Sequence, residues 1–358
     1  MPPDRAPPAP GLGHAQIADH NSRTILEALR RNGPMTRLEL AALTGLTAPG
    51  VTNVLRRHLA EGLIVEGQRR TQNAQVPSAE YALRPDGAFA IGLRLRRDRV
   101  SGMLVDLDGR IRSRASVPRT NADETAIAAA FEELHAAAGP SANLVGIGLA
   151  LDDYGADDAQ KVRQVFPDRL VVAELDTLAA VLAERTVGAG IPEAGMVMVL
   201  LEERIRSGLF LHSIPFAGAR GRAGRIGGML TGPDRLQLDR VCSADAYMAA
   251  VENPDGGSAE ATAAAWIKKA AVHLFDALMA IAGFVAPGKI VLDGDLPSDV
   301  IDALIVAMRC VAASQRPESP PPPLPPVTPA TFVGDSVLLG AALLPFFDVL
   351  LPKRSVAE

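Results

Sequence analysis

Apolar positions recur at helical spacing through the first patterned stretch and at strand spacing from about residue 89 onward. Ile25, Leu26 and Leu29 share one helical face, opened by Asn21 or Ser22 as N-cap and closed by Gly33-Pro34. Thr36, followed three residues later by Glu39, forms a capping box. It predicts a second helix whose Leu38, Leu40, Ala41 and Leu43 turn inward. Gly45 supplies the next turn, and Thr47 caps a third helix running to about Ala60 with Val51, Val54, Leu55 and Leu59 buried. Two strand-like runs, Leu63 to Val65 and Glu80 to Leu83, follow, joined by the polar stretch GQRRTQNAQVPSA.

Helix, glycine turn, helix and hairpin, in that order, predict a winged helix-turn-helix rather than a generic bundle. Beyond it, AIGLRLRR, RVSGMLVD, RIRSRASV and NLVGIGLAL read as strands, with a helix over Ala126 to Ala138. Further strands at 170–173, 197–201 and 289–292 are separated by Ala-rich helices at 177–184 and 261–282, so the remainder is an α/β body of two lobes. The expected divisions are a disordered tail over 1–18, the winged helix-turn-helix over 19–85, a first lobe over 86–185 and a second over 186–330. A segment over 331–358 returns as a helix to the first lobe. The run PESPPPPLPPVTP, 317–329, is expected as a surface loop because proline ends helices and strands alike.

Charge sharpens this division. Residues 1–85 hold 10 arginines and 7 acidic residues, a balance of +3, whereas the rest of the 358-residue chain carries −8. A basic head on an acidic body suits a protein whose head alone meets phosphate. No apolar run is long enough to span a bilayer, and MPPDRAPPAPGLG lacks the pattern of an export signal, so a membrane is not an expected partner. Cys242 and Cys310 are too few for a disulfide framework, which points to a reducing cytoplasm.

On the third helix, Gly50, Thr52, Asn53, Arg56 and Arg57 face away from the apolar stripe, short and polar groups first and basic ones later, and with the cap Thr47 they make the candidate DNA-binding set. That distribution fits a recognition helix in the major groove of double-stranded DNA. Asn53 is assigned to base edges and the arginines to phosphate. Arg69 and Arg70 in the wing either contact the minor groove and phosphates or stand in an exposed turn. Arg94, Arg96, Arg110, Arg112 and Arg114 read as a solvated strand face, and His212 and His273 as core or surface histidines.

The head sequence NSRTILEALRRNGPMTRLELAALTGLTAPGVTNVLRRHLAEGLIVE resembles the repressor domain of the ROK family, bacterial sugar kinases and sugar-responsive repressors on an actin-like fold. The body resembles the same family from about residue 90 to 350, with its chemistry eroded. Arg94 stands where the resemblance implies an acid of a phosphate loop, and Glu202, Glu203, Arg204 and Arg206 replace a second, Gly-rich phosphate cradle. Glu174-Leu175-Asp176 matches the family's acid-Asn-Asp sugar segment, with Asp176 at the position of the kinase base. In GARGRAGRIGGM, 218–229, Arg225 and Gly228 replace a sugar-binding Glu and a His shared by sugar and zinc; of the zinc cysteines only Cys242 remains.

The resemblance therefore implies a transcription regulator, a repressor with an inactive kinase-like body, needing neither cofactor nor metal and acting as a homodimer on a palindromic operator. Its effector would lie between the lobes near Glu174, Asp176, Arg225 and Asp245. Pairing of Asp176 with Arg225 would close that cleft, whereas a free Arg225 would hold an anionic, sugar-derived ligand. The alternatives are a sugar kinase carrying a regulatory head and a DNA-binding scaffold whose body only dimerises.

Overall fold

The computed structural model describes residues 14–70, 78–119, 123–152, 155–192, 194–211, 214–216, 218–219, 222–253, 258–314 and 324–352. In the head, α1 (His14–Asn32) is followed by β1 (Met35–Thr36), α2 (Arg37–Thr44), α3 (Ala48–Ala60) and a wing of β2 (Ile64–Arg70) and β3 (Ser78–Leu83). The capping box forms as the sequence implies, Thr36 Oγ1 accepting from the Glu39 amide while Glu39 accepts from the Thr36 amide. Gly45 ends α2 at φ 69°, a left-handed conformation that glycine adopts without Cβ strain, and so makes the tight turn into α3.

Three expectations for the head are corrected. α1 starts seven residues before Asn21, so residues 14–18 are helical while 1–13 lie outside the described residues. Ser22 is not a cap: its hydroxyl meets His58 Nε2 at 3.1 Å, inside the head. On α2 only Leu40 is buried, with Leu38 62% and Leu43 55% exposed, because eight residues give too short a helix to bury more than one narrow stripe.

The body contains two five-stranded sheets with one topology. The first is built from β4 (Phe89–Leu95), β5 (Arg99–Asp106), β6 (Ile111–Pro118), β7 (Leu144–Leu151) and β8 (Val171–Leu175), with α4 (Asp123–Ala138), α5 (Ala156–Val165) and α6 (Asp176–Thr186). The second lobe comprises β9 (Met196–Leu201), β10 (Ile205–Leu211), β11 (Ile214–Phe216), a small hairpin of β12 (Leu230–Thr231) and β13 (Leu236–Gln237), and the helices α7 (Leu238–Cys242), α8 (Ala244–Glu252) and α9 (Ala259–Val285). It continues through β14 (Lys289–Gly294), α10 (Ser298–Ser314) and β15 (Val327–Pro329), and α11 (Ser336–Val349) follows. Strand orders are β6-β5-β4-β7-β8 and β11-β10-β9-β14-β15. In each, the first three strands form an antiparallel meander and the last two add in parallel. The central strands are buried along their whole length, which is why they read as continuous apolar runs.

The Pro-rich run behaves differently from the expected loop at its end. Residues 317–323 fall outside the described residues, but 327–329 are β15, paired in parallel with β14. An edge strand tolerates Pro329 because one of its sides needs no N–H donors.

The described part of the segment after residue 330 packs against the first lobe. α11 lies on β4 and β7 and against α6, and glycines make that approach possible. A Cβ at Gly148 would sit 1.7 Å from the Ala341 carbonyl oxygen, and one at Gly340 equally close to that of Ala179.

Candidate DNA-binding face and interlobe cleft

The helix α3, expected from sequence to be the recognition helix, is held from beneath by Val51 and Leu55, packed with Ile25, Leu26 and Leu29 of α1, while Val54 and Leu59 are half-buried. Its buried His58 was not foreseen, since a histidine among charged neighbours reads as surface. Besides Ser22, its ring meets Glu61 through Nδ1 at 3.2 Å. Thr47 caps the helix, its hydroxyl accepting from the Gly50 amide, and the Thr52 hydroxyl donates to the Ala48 carbonyl. Asn53, Arg56 and Arg57 are exposed on the outer face. Arg57 lies 3.8 Å from Glu61, whereas Arg56 makes no ion pair among the described residues.

One further cation joins this face. Arg37, at the first turn of α2, reaches the Thr52 hydroxyl at 3.4 Å and, with Arg56, Ser78 and Tyr81, lines a groove of about 450 Å³ between α3 and the wing. The signal for it was present in sequence, as an arginine directly after the capping threonine. Arg69 and Arg70 occupy the last two paired positions of the wing, opposite Ala79 and Ser78; Gln72 and Asn73, beyond them, are outside the described residues.

Between the lobes the side chains gather differently from expectation. Arg94 is not on a solvated face: it is 8% exposed and projects from β4 to the turn Glu202–Arg204 of the second lobe. Its guanidinium donates to both Glu202 carboxylate oxygens at 2.7 Å and to Asp176 Oδ2 at 2.7 Å. Arg206 adds contacts of 2.6 Å to Asp176 and 2.9 Å to Glu202, and Arg96 joins Glu202 to Asp295. Asp176 Oδ1 accepts from the Thr177 amide. The cationic partners of Asp176 are thus Arg94 and Arg206, not Arg225, whose side chain is exposed. Sequence reasoning missed this because residues 94, 176, 202 and 206 meet only where the two lobes come together.

Burial opposes every charge in this cluster, and pairing opposes burial. Against its own desolvation, Glu202 is held down at about 2 by Arg94, with Arg96 and Arg206 adding to it. Arg94 is held firmly protonated by Glu202 and Asp176 despite its burial. Burial pushes Asp176 up, countered by Arg94 and Arg206. The other arginines of the predicted strand face are paired outside the cleft: Arg110 with Asp108, Arg112 with the buried Asp106 and Arg114 with Asp335. The open part of the cleft, about 810 Å³, is lined among others by Arg97, Glu203, Asp245 and Asp295. Glu174, Asp176 and Arg225 do not line it, so of the four expected effector residues only Asp245 does.

Asp293, at the end of β14, is a second buried carboxylate. Burial pushes it up to about 6, although the Gly334 and Gly294 amides and the Ser336 hydroxyl pull it down. The folded chain therefore holds a proton there that the unfolded chain, near 3.8, has released. Stability is expected to fall by about 3 kcal/mol as pH rises from 4 to above 6 through this group. Asp293→Asn should flatten that decline in urea midpoints measured across the window; an unchanged slope would exclude Asp293 as its source.

The zinc that the resemblance associates with this region finds no donor set here. Cys242 is buried, its thiol donates to the Ala270 carbonyl, and burial pushes it up to about 12, so it is a packing residue. His273 is buried too, with Nδ1 3.0 Å from the Thr231 hydroxyl, while His212 lies outside the described residues. Among the described residues no group of His, Cys, Asp or Glu is arranged to hold a metal, and no helix is long and apolar enough to cross a membrane.

Residues 19–65 match the family described as winged helix-turn-helix DNA-binding. Over 316 residues, 80% of each chain, the sequence is 27% identical to the protein y4fQ of Sinorhizobium fredii. Over 92 residues, 25% of this chain and 24% of the relative, it is 28% identical to the xylose repressor of Bacillus spizizenii. A solved ROK family transcriptional regulator, described as a homologue of the E. coli MLC protein, superposes with a TM-score of 0.71 at 18% identity, covering 94% of this chain and 98% of that one. A ROK family glucokinase from Streptomyces griseus, in complex with glucose and AMPPNP, gives 0.60 at 20% identity over 72% of this chain and 99% of its own. The likeness to the regulator thus takes in head and body together, and the chain has the architecture of a ROK family transcriptional regulator, a winged helix-turn-helix DNA-binding head on a sugar-kinase-like body.

Proposed function

We propose that the protein is a repressor whose two heads, in a homodimer, read a palindromic operator, and whose body transfers no phosphate. In this reading Asn53 contacts base edges, with Thr47, Gly50 and Thr52 beside it at the start of the helix. Arg56, Arg57, Arg69 and Arg70, joined by Arg37, contact phosphates. The dimer sets the half-site spacing.

The observation that carries catalytic inactivity is the state of Asp176. A general base must be within hydrogen-bonding reach of the substrate hydroxyl, but Asp176 is buried, with one carboxylate oxygen accepting from the Thr177 amide and the other held by Arg94 and Arg206. Glu202 stands where a phosphate cradle would need backbone amides, and its negative charge repels phosphate. With ATP, Mg²⁺ and either glucose or N-acetylglucosamine, ADP release is expected to stay at background. Turnover that disappears in Asp176→Asn would establish the kinase instead.

Arg94, Glu202 and Arg206 of the same network line the open part of the cleft together with Asp245, so an effector would seat against them and not on Asp176 and Arg225. Arg97 and Glu203 give that space both signs of charge, which favours a charged ligand over a plain hexose.

A further inference from the structure

The head is set into the body, not tethered to it. Ile25, Leu26 and Leu29 of α1 share one core with Leu343, Phe346 and Leu351 at the end of the chain. Arg23 donates to the carbonyls of Asp348 at 2.8 Å and Leu351 at 3.0 Å, where α11 ends. Arg30, braced by Glu27, donates to the Thr186 carbonyl at 3.1 Å, where α6 ends. The last carbonyls of a helix have no partner within it and carry its negative dipole end, so each guanidinium both satisfies an acceptor and finds a favourable field. The Arg30 side chain is only 6% exposed, which makes this a built joint and not a surface contact.

Thr186 is the last residue of α6, and the first is Asp176, the carboxylate gripped by Arg94 and Arg206. From Asp176 to Glu184 every residue is buried. Such a helix, enclosed in close-packed surroundings, shifts as a rod because its neighbours leave no room for it to bend. Near its far end Glu184 is fixed by Lys289 at 3.2 Å and by the Thr331 amide at 3.0 Å. Within the head, α1 also carries Ser22, whose hydroxyl and carbonyl both meet His58 of α3 at 3.1 Å.

We propose that α6 transmits the state of the interlobe cleft to the recognition helix, with Arg30 as the positioning residue that joins rod to head; the functional meaning of this joint rests on the DNA-binding role of the head. Any ligand that takes Arg94 or Arg206 away from Asp176 changes the seating of the first turn of α6. The displacement reaches α1 through Arg30 and α3 through Ser22 and His58. Two discrete arrangements of one packed element, biased at a distance, are what such coupling requires.

Amide hydrogen exchange on the full chain, without DNA or ligand, tests this directly. Asp176→Asn preserves shape while removing the charge that the arginines hold. It is expected to raise exchange at least about fivefold in α1 and α3 as well as in α6. In an Arg30→Gln background the increment due to Asp176→Asn should persist in α6 and vanish from α1 and α3. Comparing increments removes whatever Arg30→Gln does to packing alone. Arg206→Lys, which keeps the charge but shortens its reach, supplies a milder version of the same cleft change. Unchanged exchange in α1 and α3 for both cleft variants, or equal increments with and without Arg30, overturns the proposal. Because no duplex is present, failure of the rod is distinguishable from failure of the head to bind DNA, which a titration reports separately.

Discussion

Replacing Arg94 with alanine is expected to lower the stability of the chain by about 3–5 kcal/mol, the largest single loss anticipated for any one charged side chain of the body. The substitution removes two hydrogen bonds to Glu202 and one to Asp176, and it leaves two carboxylates that are 4% and 1% exposed facing each other. Arg206 and Arg96 remain, but neither replaces the two-pronged contact that Arg94 makes. Urea unfolding followed by the fluorescence of Trp266, the chain's one tryptophan, reports on the second lobe, and circular dichroism reports on the whole. A combined replacement of Arg94, Asp176, Glu202 and Arg206 by Leu, which leaves no buried charge of the cluster unpaired, should recover much of the loss, since an apolar filling of a buried ionic site is often neutral or better. A midpoint that scarcely moves in Arg94→Ala would mean that water enters the cleft and carries the charges.

Arg56→Ala combined with Arg57→Ala is expected to weaken duplex binding about tenfold or more at low salt and to reduce the slope of log affinity against log salt by nearly two units. Each arginine that neutralises a phosphate releases close to one counterion, so the change in slope measures how many phosphates the variant leaves unneutralised. Arg56 is exposed and without an ion pair among the described residues, so its full charge is available. Arg57 shares its charge with Glu61 across 3.8 Å, an exposed pair too weak to withhold it from DNA. Asn53→Ala should behave differently, losing about 1–3 kcal/mol against the preferred sequence while leaving the salt slope intact. Titration of the full chain into duplex DNA at several salt concentrations separates these outcomes. An unchanged affinity and slope in the double variant would remove α3 from the interface.

The local units of this fold were written in local sequence. The capping box of Thr36 and Glu39, the left-handed Gly45, the cap at Thr47 and the strand pairs of the wing each depend on residues within a few positions of one another. So do the buried strands of both lobes, because a strand covered on both faces must be apolar throughout. Where a unit's burial depends on what covers it, the sequence misleads. Leu38 and Leu43 are as apolar as Leu40, yet nothing in the described structure covers them. Ser22 and Asn21 look like helix caps until the preceding residues are seen to continue the helix.

What the sequence determined by itself is the kind of molecule: a winged helix-turn-helix head and an α/β body, both of which follow from periodicity, capping and residue type. The tertiary structure alone decided which charges meet between the lobes. Arg94, Asp176, Glu202 and Arg206 are separated by as many as 112 positions, and their charges find one another only because the two lobes bury them together, where a charge without a partner is costly. The same holds for Arg23 and Arg30, which become joints because α11 and α6 end beside them with carbonyls that have no partner within the helix.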